Sequence, residues 1–163
     1  MKYLVLFLIL FLNLDLNSQD LDLYEQKIFV TEKDTLNYRI LKPLNYDSTK
    51  QYPVHLFLHG AGERGNDNVS QLVHGSKLFL KKESREKYNS WVIFPQAPKH
   101  DWWGYKDPYK LNYNVKESKA MSLVVKLMDN FSKRNDVNQN KIYVSGLSMG
   151  GMGTFVILNL RPD

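Results

Sequence analysis

The chain has 163 residues, 43% hydrophobic and 13% aromatic, which is enough apolar material for one folded domain and excludes a disordered chain. Its formal net charge of +5 comes from scattered lysines with no block of like charge, so a solvated surface is expected and nucleic acid is not a partner. There is no cysteine, which excludes a disulfide framework, a thiolate metal site and a lipid-modified cysteine.

Residues 1–18 open with Lys2, run apolar from Tyr3 to Leu12 and turn polar at Asn13, Asp15 and Asn17-Ser18. This predicts a secretory signal peptide, too short and wrongly flanked for a spanning helix. Ser18 suits the last position before cleavage, whereas Leu16 departs from the small-x-small pattern. Export to a periplasm or the outside follows, with no stable membrane anchor after cleavage. Residues 19–163 are then read as a single domain.

Tyr24–Val30 and Leu36–Leu41 read as two strands of a hairpin joined by Thr31–Thr35, and Pro43 ends it. Val54–Leu58 is a short apolar run bounded by glycines, the pattern of a strand buried on both faces. A short helix is expected within residues 69–82, with Leu72, Val73 and Leu78 to Leu80 facing inward. Trp91–Phe94 is the next strand, stopped by Pro95 and Pro98, and residues 99–109 form an aromatic loop. From Val115 to about Phe131, Met121, Val124, Val125, Met128 and Phe131 recur at three- and four-residue spacing, predicting an amphipathic helix capped by Asn114 with Glu117 three residues on. Asn135–Asn140 is turn chemistry, Ile142–Ser145 a strand, and Met149 toward Leu160 a helix that Pro162 ends. A hairpin followed by alternating strands and helices predicts a mostly parallel sheet with helices on both faces, the plan of an α/β-hydrolase.

The chemistry concentrates at the join between the last strand and the last helix, Gly146-Leu-Ser148-Met-Gly150. A strand that reverses into a helix within a few residues places the central serine in a strained conformation, and only small flanking residues leave it room. Ser148 is therefore read as a nucleophile. Its oxyanion hole needs two donors: the backbone N–H of Met149 at the helix start, and one from His59-Gly-Ala-Gly62, where Ala61 is the first candidate and Gly62 the next. Glu63 and Arg64 read as an ion pair holding that loop in preference to binding substrate.

Leu58-His-Gly-Ala-Gly-Glu-Arg-Gly65, Phe94-Pro-Gln-Ala-Pro98, the Trp102-Trp103 loop and Ile142–Thr154 together resemble the secreted α/β-hydrolases known as predicted peptidases or carboxylesterases. These are close to the feruloyl and acetyl-xylan esterases and the polyhydroxybutyrate-depolymerase-like enzymes. The resemblance covers roughly residues 53–163. It implies Ser148 as nucleophile, Met149 and Ala61 lining the oxyanion hole, and Gln96, Trp102 and Trp103 bordering the substrate cleft. The tryptophans fit equally a hydrophobic lid over the sheet. The implied activity is cleavage of a small-molecule or polysaccharide-linked carboxylic ester through an acyl-enzyme, with no metal or organic cofactor. A serine peptidase and a non-catalytic carbohydrate-binding module are the alternatives.

In this fold an acid and then a histidine follow the serine. Here only Asp163 follows it and no histidine does, while His55, His59, His74 and His100 all lie upstream in places the topology does not bring to the serine. The sequence thus reads as the N-terminal part of a larger domain whose C-terminal strands are missing. Alone it is expected to be catalytically weak or dead, and poorly soluble because a central strand would have an unpaired edge.

Overall fold

The computed structural model describes residues 19–105 and 116–162. The expected signal peptide, the end of the aromatic loop, the Asn114 cap and Asp163 lie outside these. A five-stranded sheet runs in the order β1 (Tyr24–Val30), β2 (Thr35–Leu41), β4 (Trp91–Pro95), β3 (Tyr52–Leu58), β5 (Val137–Gly146). β1 and β2 form the antiparallel hairpin, closed by Thr31, whose hydroxyl and N–H both bond Asp34 O, at 2.9 and 2.8 Å. β2 pairs antiparallel with β4, while β4, β3 and β5 are parallel, so only β2 runs against the rest. The mostly parallel plan of an α/β-hydrolase is what the chain adopts.

Alternation within the strands assigns the two faces. Val54, Leu56 and Leu58 of β3 and Trp91 and Ile93 of β4 join Met121, Val124, Leu127 and Phe131 of α3 (Lys119–Ser132) and Val156 and Ile157 of α4 (Met149–Leu160) in the main core. On the other face Val92 and Phe94 meet Tyr24, Leu41 and Leu72, with Phe57 and with Phe79 of the short helix α1 (Ser76–Leu80) packed against them. A second short helix, α2 (Lys82–Lys87), leads to β4. β4 is buried on both faces. β3, expected to be so, is buried on one face and only half-buried at Pro53, His55 and Phe57 on the other, because the helix there has five residues and covers little.

Three other local expectations are corrected. The 69–82 segment is a 3-10 turn followed by α1, and it points Val73 and Leu78 outward, at 63% and 55% exposure, keeping Leu72 inside. α3 begins at Lys119, and the described residues before it, 116–118, are not helical. Its cap is Ser118, whose hydroxyl accepts from Met121 N at 3.1 Å, and Asp101 Oδ2 accepts from Ala120 N at 2.7 Å. Ser118 N–H also donates to Gly104 O at 2.7 Å, so tertiary contact with the aromatic loop fixes the helix start, while Glu117 is held in a bridge with Tyr105. β5 starts five residues early, at Val137. Its register against β3 breaks between Tyr52 and Val54, so the turn-forming Asn138–Lys141 stretch is kept as an irregularity inside the strand.

The entry of β5 is pinned by Asp136. Its carboxylate accepts from Arg134 Nε and Nη2 at 2.8 and 2.7 Å and from the Tyr46 hydroxyl at 2.6 Å, and Arg134 lies over the Trp91 ring at 4.7 Å. The Arg134 guanidinium, with the Tyr46 bond, holds the Asp136 carboxyl down at about 2. A depressed carboxyl contributes stability above its unfolded pKa near 4 and loses it as the pH falls through the folded value. Asp136→Asn is therefore expected to cost about 1–2 kcal/mol at neutral pH, Arg134 being half in solvent. It should also flatten the fall in thermal midpoint between pH 4 and pH 2, which a pH series of melts measures.

Candidate active site

Ser148 stands between the end of β5 and the start of α4 at φ 52 and ψ −114, with its side chain exposed. That region is sparsely populated for any residue bearing a Cβ. The chain is forced into it from both sides. Leu147 N donates to Leu58 O at 3.0 Å, tying the elbow to the end of β3, and Gly150 N donates to Leu147 O at 2.8 Å, starting the helix. A Cβ on Gly146 would stand 2.2 Å from Gly150 C and O. The reversal can be this tight only with glycine there.

The His59–Gly62 loop follows β3 directly and lies against the elbow. A Cβ on Gly60 would fall 3.8 Å from Ser148 Cβ and 3.6 Å from Leu147 O, so the loop backbone and the serine are neighbours. Ala61 opens a single 3-10 turn, Ala61–Glu63, and Met149 opens α4, and the first N–H groups of such turns have no acceptor within them. Ala61, Gly62 and Ser148 are all exposed, so these groups border one accessible place.

His59 itself is fully buried. Its Nδ1 is 2.6 Å from Gly60 O, its Nε2 accepts from Ala97 N at 3.0 Å, and Trp103 Nε1 donates to its carbonyl at 3.1 Å. Burial lowers its pKa. Arg64 grips the same loop, Nε donating to Ala61 O at 2.9 Å. The expected Glu63–Arg64 ion pair is not formed: Glu63 faces His74 at 3.6 Å, and its other oxygen is buried without a partner beside Gly60. Adjacent charges on a one-turn helix diverge, and each takes a separate neighbour.

Gln96 is 1% exposed. It donates to Asp67 Oδ1 at 2.8 Å and Glu63 O at 3.2 Å, and accepts from Asn68 N at 2.8 Å, so it straps residues 63–68 to the end of β4. Asp67, bonded chiefly by Ser70, is held well below the usual carboxylate range. Trp103 is 1% exposed, edge-on to His59 at 5.0 Å, and belongs to the main core. Trp102 is half-buried and its Nε1 donates to Tyr105 O at 2.6 Å. The structure thus gathers Ser148, Met149 and Ala61 and puts Gln96 and Trp103 beneath the loop, with Trp102 alone of the three partly open.

Other histidines are occupied elsewhere. His55 Nε2 is 2.7 Å from Ser145 Oγ, with its ring against Phe79 and its pKa lowered by burial. His100 lines a groove of about 620 Å³ between the β1–β2 turn and the α3 start, where Lys119 pairs with Asp34. Among the described residues no group of three His, Asp or Glu side chains could hold a metal ion, and no helix is long and apolar enough to cross a membrane.

A tight strand-to-helix reversal at Ser148, in a mixed sheet with helices on both faces, gives the chain the α/β-hydrolase fold. Comparison with protein-family models gave no match, and comparison with curated protein sequences gave none. Among solved structures the chain is similar to a thermostable esterase, at TM-score 0.79 and 28% identity over 88% of this chain and 39% of that one. It is also similar to a ferulic acid esterase of Anaeromyces mucronatus, at TM-score 0.59, 17% identity, and 86% and 55% of the two chains. Thermogutta terrifontis esterase 2 is a further neighbour, at TM-score 0.52, 17% identity, and 82% and 45%. The last two likenesses concern the fold alone. The chain spans well under two thirds of the length of each.

Ser148, Met149 and Ala61 were singled out from sequence and the structure brings them together, whereas the bonds by which His59 holds the loop were not foreseen. The available signal was a histidine directly before Gly-x-Gly, where a side chain can reach back to its own backbone.

Proposed function

We propose that this chain carries the nucleophile and oxyanion hole of a secreted carboxylic-ester hydrolase. Ser148 Oγ attacks the ester carbonyl, the developing oxyanion is received by the N–H groups of Met149 and Ala61, and the alcohol leaves to give an acyl-enzyme that water hydrolyses. The observation that carries this is Ser148 held at φ 52, exposed, with Gly60 packed beside it. The likeness to a thermostable esterase at 28% identity supports an ester over an amide substrate. A small-molecule or polysaccharide-linked ester is the substrate class, with Trp102 at the cleft border. The carbohydrate-binding alternative is disfavoured because Trp103 is buried and cannot form a stacking platform with Trp102.

No described histidine is placed to take the Ser148 proton, and the chain spans 39% of the esterase it resembles. The acid and base are proposed to be supplied from outside these residues, and the apolar run before Ser18 supports export. An oxyanion hole and binding without a complete triad still leave about 10³–10⁴-fold acceleration over water. Incubation with excess fluorophosphonate, read by intact-mass and peptide mass spectrometry, should therefore give one slow adduct on Ser148. An adduct on another residue, or one formed equally by Ser148→Ala, would sink the proposal.

A further inference from the structure

We infer that His59 is a positioning residue that aims the Ala61 N–H at the oxyanion, an inference that rests on the esterase reading of Ser148. The proton on this buried ring can sit on only one nitrogen. The Ala97 N–H can only donate, so the His59 Nε2 that it meets at 3.0 Å must be a bare acceptor. A neutral imidazole then carries its proton on Nδ1, which lies 2.6 Å from Gly60 O and donates to it. Burial keeps the ring neutral, with Glu63 and Arg64 nearby acting in opposite senses. Trp103 fixes the residue from a third side, its ring edge-on and its Nε1 bonded to the His59 carbonyl.

The consequence lies in the peptide plane. A trans peptide holds C=O and N–H on opposite sides, so drawing Gly60 O onto the imidazole turns the Ala61 N–H away from it. Gly60 itself lies against Ser148, so the far side of that peptide is the serine side. Rotating the peptide would cost the buried Nδ1–H its acceptor and present a carbonyl oxygen to the forming oxyanion. Trp103, assigned to the cleft by resemblance, acts here through His59.

Two substitutions separate the two ring nitrogens. In His59→Asn the amide NH2 takes the place of Nδ1 and keeps the Gly60 O bond while losing Ala97. In His59→Gln the amide oxygen takes the place of Nε2 and keeps Ala97 while losing Gly60. Ser148 phosphonylation, followed by mass spectrometry, should stay within about tenfold of the parent in His59→Asn and fall about a hundredfold or more in His59→Gln, the effect of losing one oxyanion donor. Carbon shifts of the Gly60 and Ala61 backbone should be preserved in the first and displaced in the second, and the parent imidazole nitrogens should report the Nδ1–H form. Equal slowing in both variants, or an Nε2–H parent ring, would overturn the inference. If Ser148 of the parent does not react, the esterase reading fails, while the backbone shifts and the ring tautomer still judge the positioning. If both variants unfold, the parent tautomer decides.

Discussion

Ser148→Gly is expected to raise the thermal midpoint of the chain while abolishing its phosphonylation. Ser148 is held at φ 52 and ψ −114, a conformation that costs a residue with a Cβ about 1–3 kcal/mol. Glycine removes that penalty and returns about 0.5–1 kcal/mol of it through the greater freedom of its unfolded chain. The net gain, about 0.5–2 kcal/mol, corresponds to a rise of roughly 2–6 °C for a chain of this size. Ser148→Ala should be equally unreactive with an unchanged midpoint, because it keeps the Cβ and hence the strain. Melts of the three proteins by circular dichroism test this. A Ser148→Gly variant no more stable than Ser148→Ala would show that the elbow does not store strain at this residue.

Gly150→Ala is expected to have the larger structural effect. A Cβ there would stand 1.9 Å from Leu58 O, 2.5 Å from Leu58 C and 2.9 Å from His59 O. All three are backbone atoms at the end of β3, so no side chain can turn away, and α4 must back off the sheet. Overpacking of this kind costs about 3 kcal/mol or more, a large share of the roughly 5–15 kcal/mol that holds a domain together. Soluble yield and the unfolding midpoint should both fall sharply. Gly62→Ala supplies the contrast: no atom lies within 4 Å of its would-be Cβ, and a change within about 0.5 kcal/mol is expected. Comparable losses at the two positions would mean that glycine content, and not the approach of α4 to β3, governs stability.

These contrasts show where sequence reading reached and where it stopped. The hairpin, the succession of strands along the chain and the helix from Met149 were legible because each rests on local patterning: two strand runs joined by Thr31–Thr35, apolar runs at Val54–Leu58 and Trp91–Phe94, and glycines around Ser148. The α3 start was not legible. Asn114 and Ser118 both carry capping side chains, and the choice of Ser118 depends on Gly104 and Trp102, more than ten residues away in sequence, which hold it in place. The length of β5 was missed for a related reason, since Asn135–Asn140 has the composition of a turn, and the strand extends back to Val137 only because Val137 and Ile142, on either side of the irregular stretch, both pair with β3.

At the candidate site the division is the same. The sequence by itself determined the tight reversal at Ser148, because a sharp strand-to-helix turn leaves its mark in the residues that make it, Gly146, Ser148 and Gly150. Only the tertiary structure decided that Gln96 and Trp103 lie under the His59–Gly62 loop, that Glu63 turns to His74 and not to Arg64, and that the His59 ring accepts a hydrogen bond from Ala97 N and lies with Nδ1 against Gly60 O. Composition shows which side chains are able to bond or stack. Which partner each meets is fixed by how β3, β4 and the loops between them converge, and that convergence is a property of the whole packed sheet.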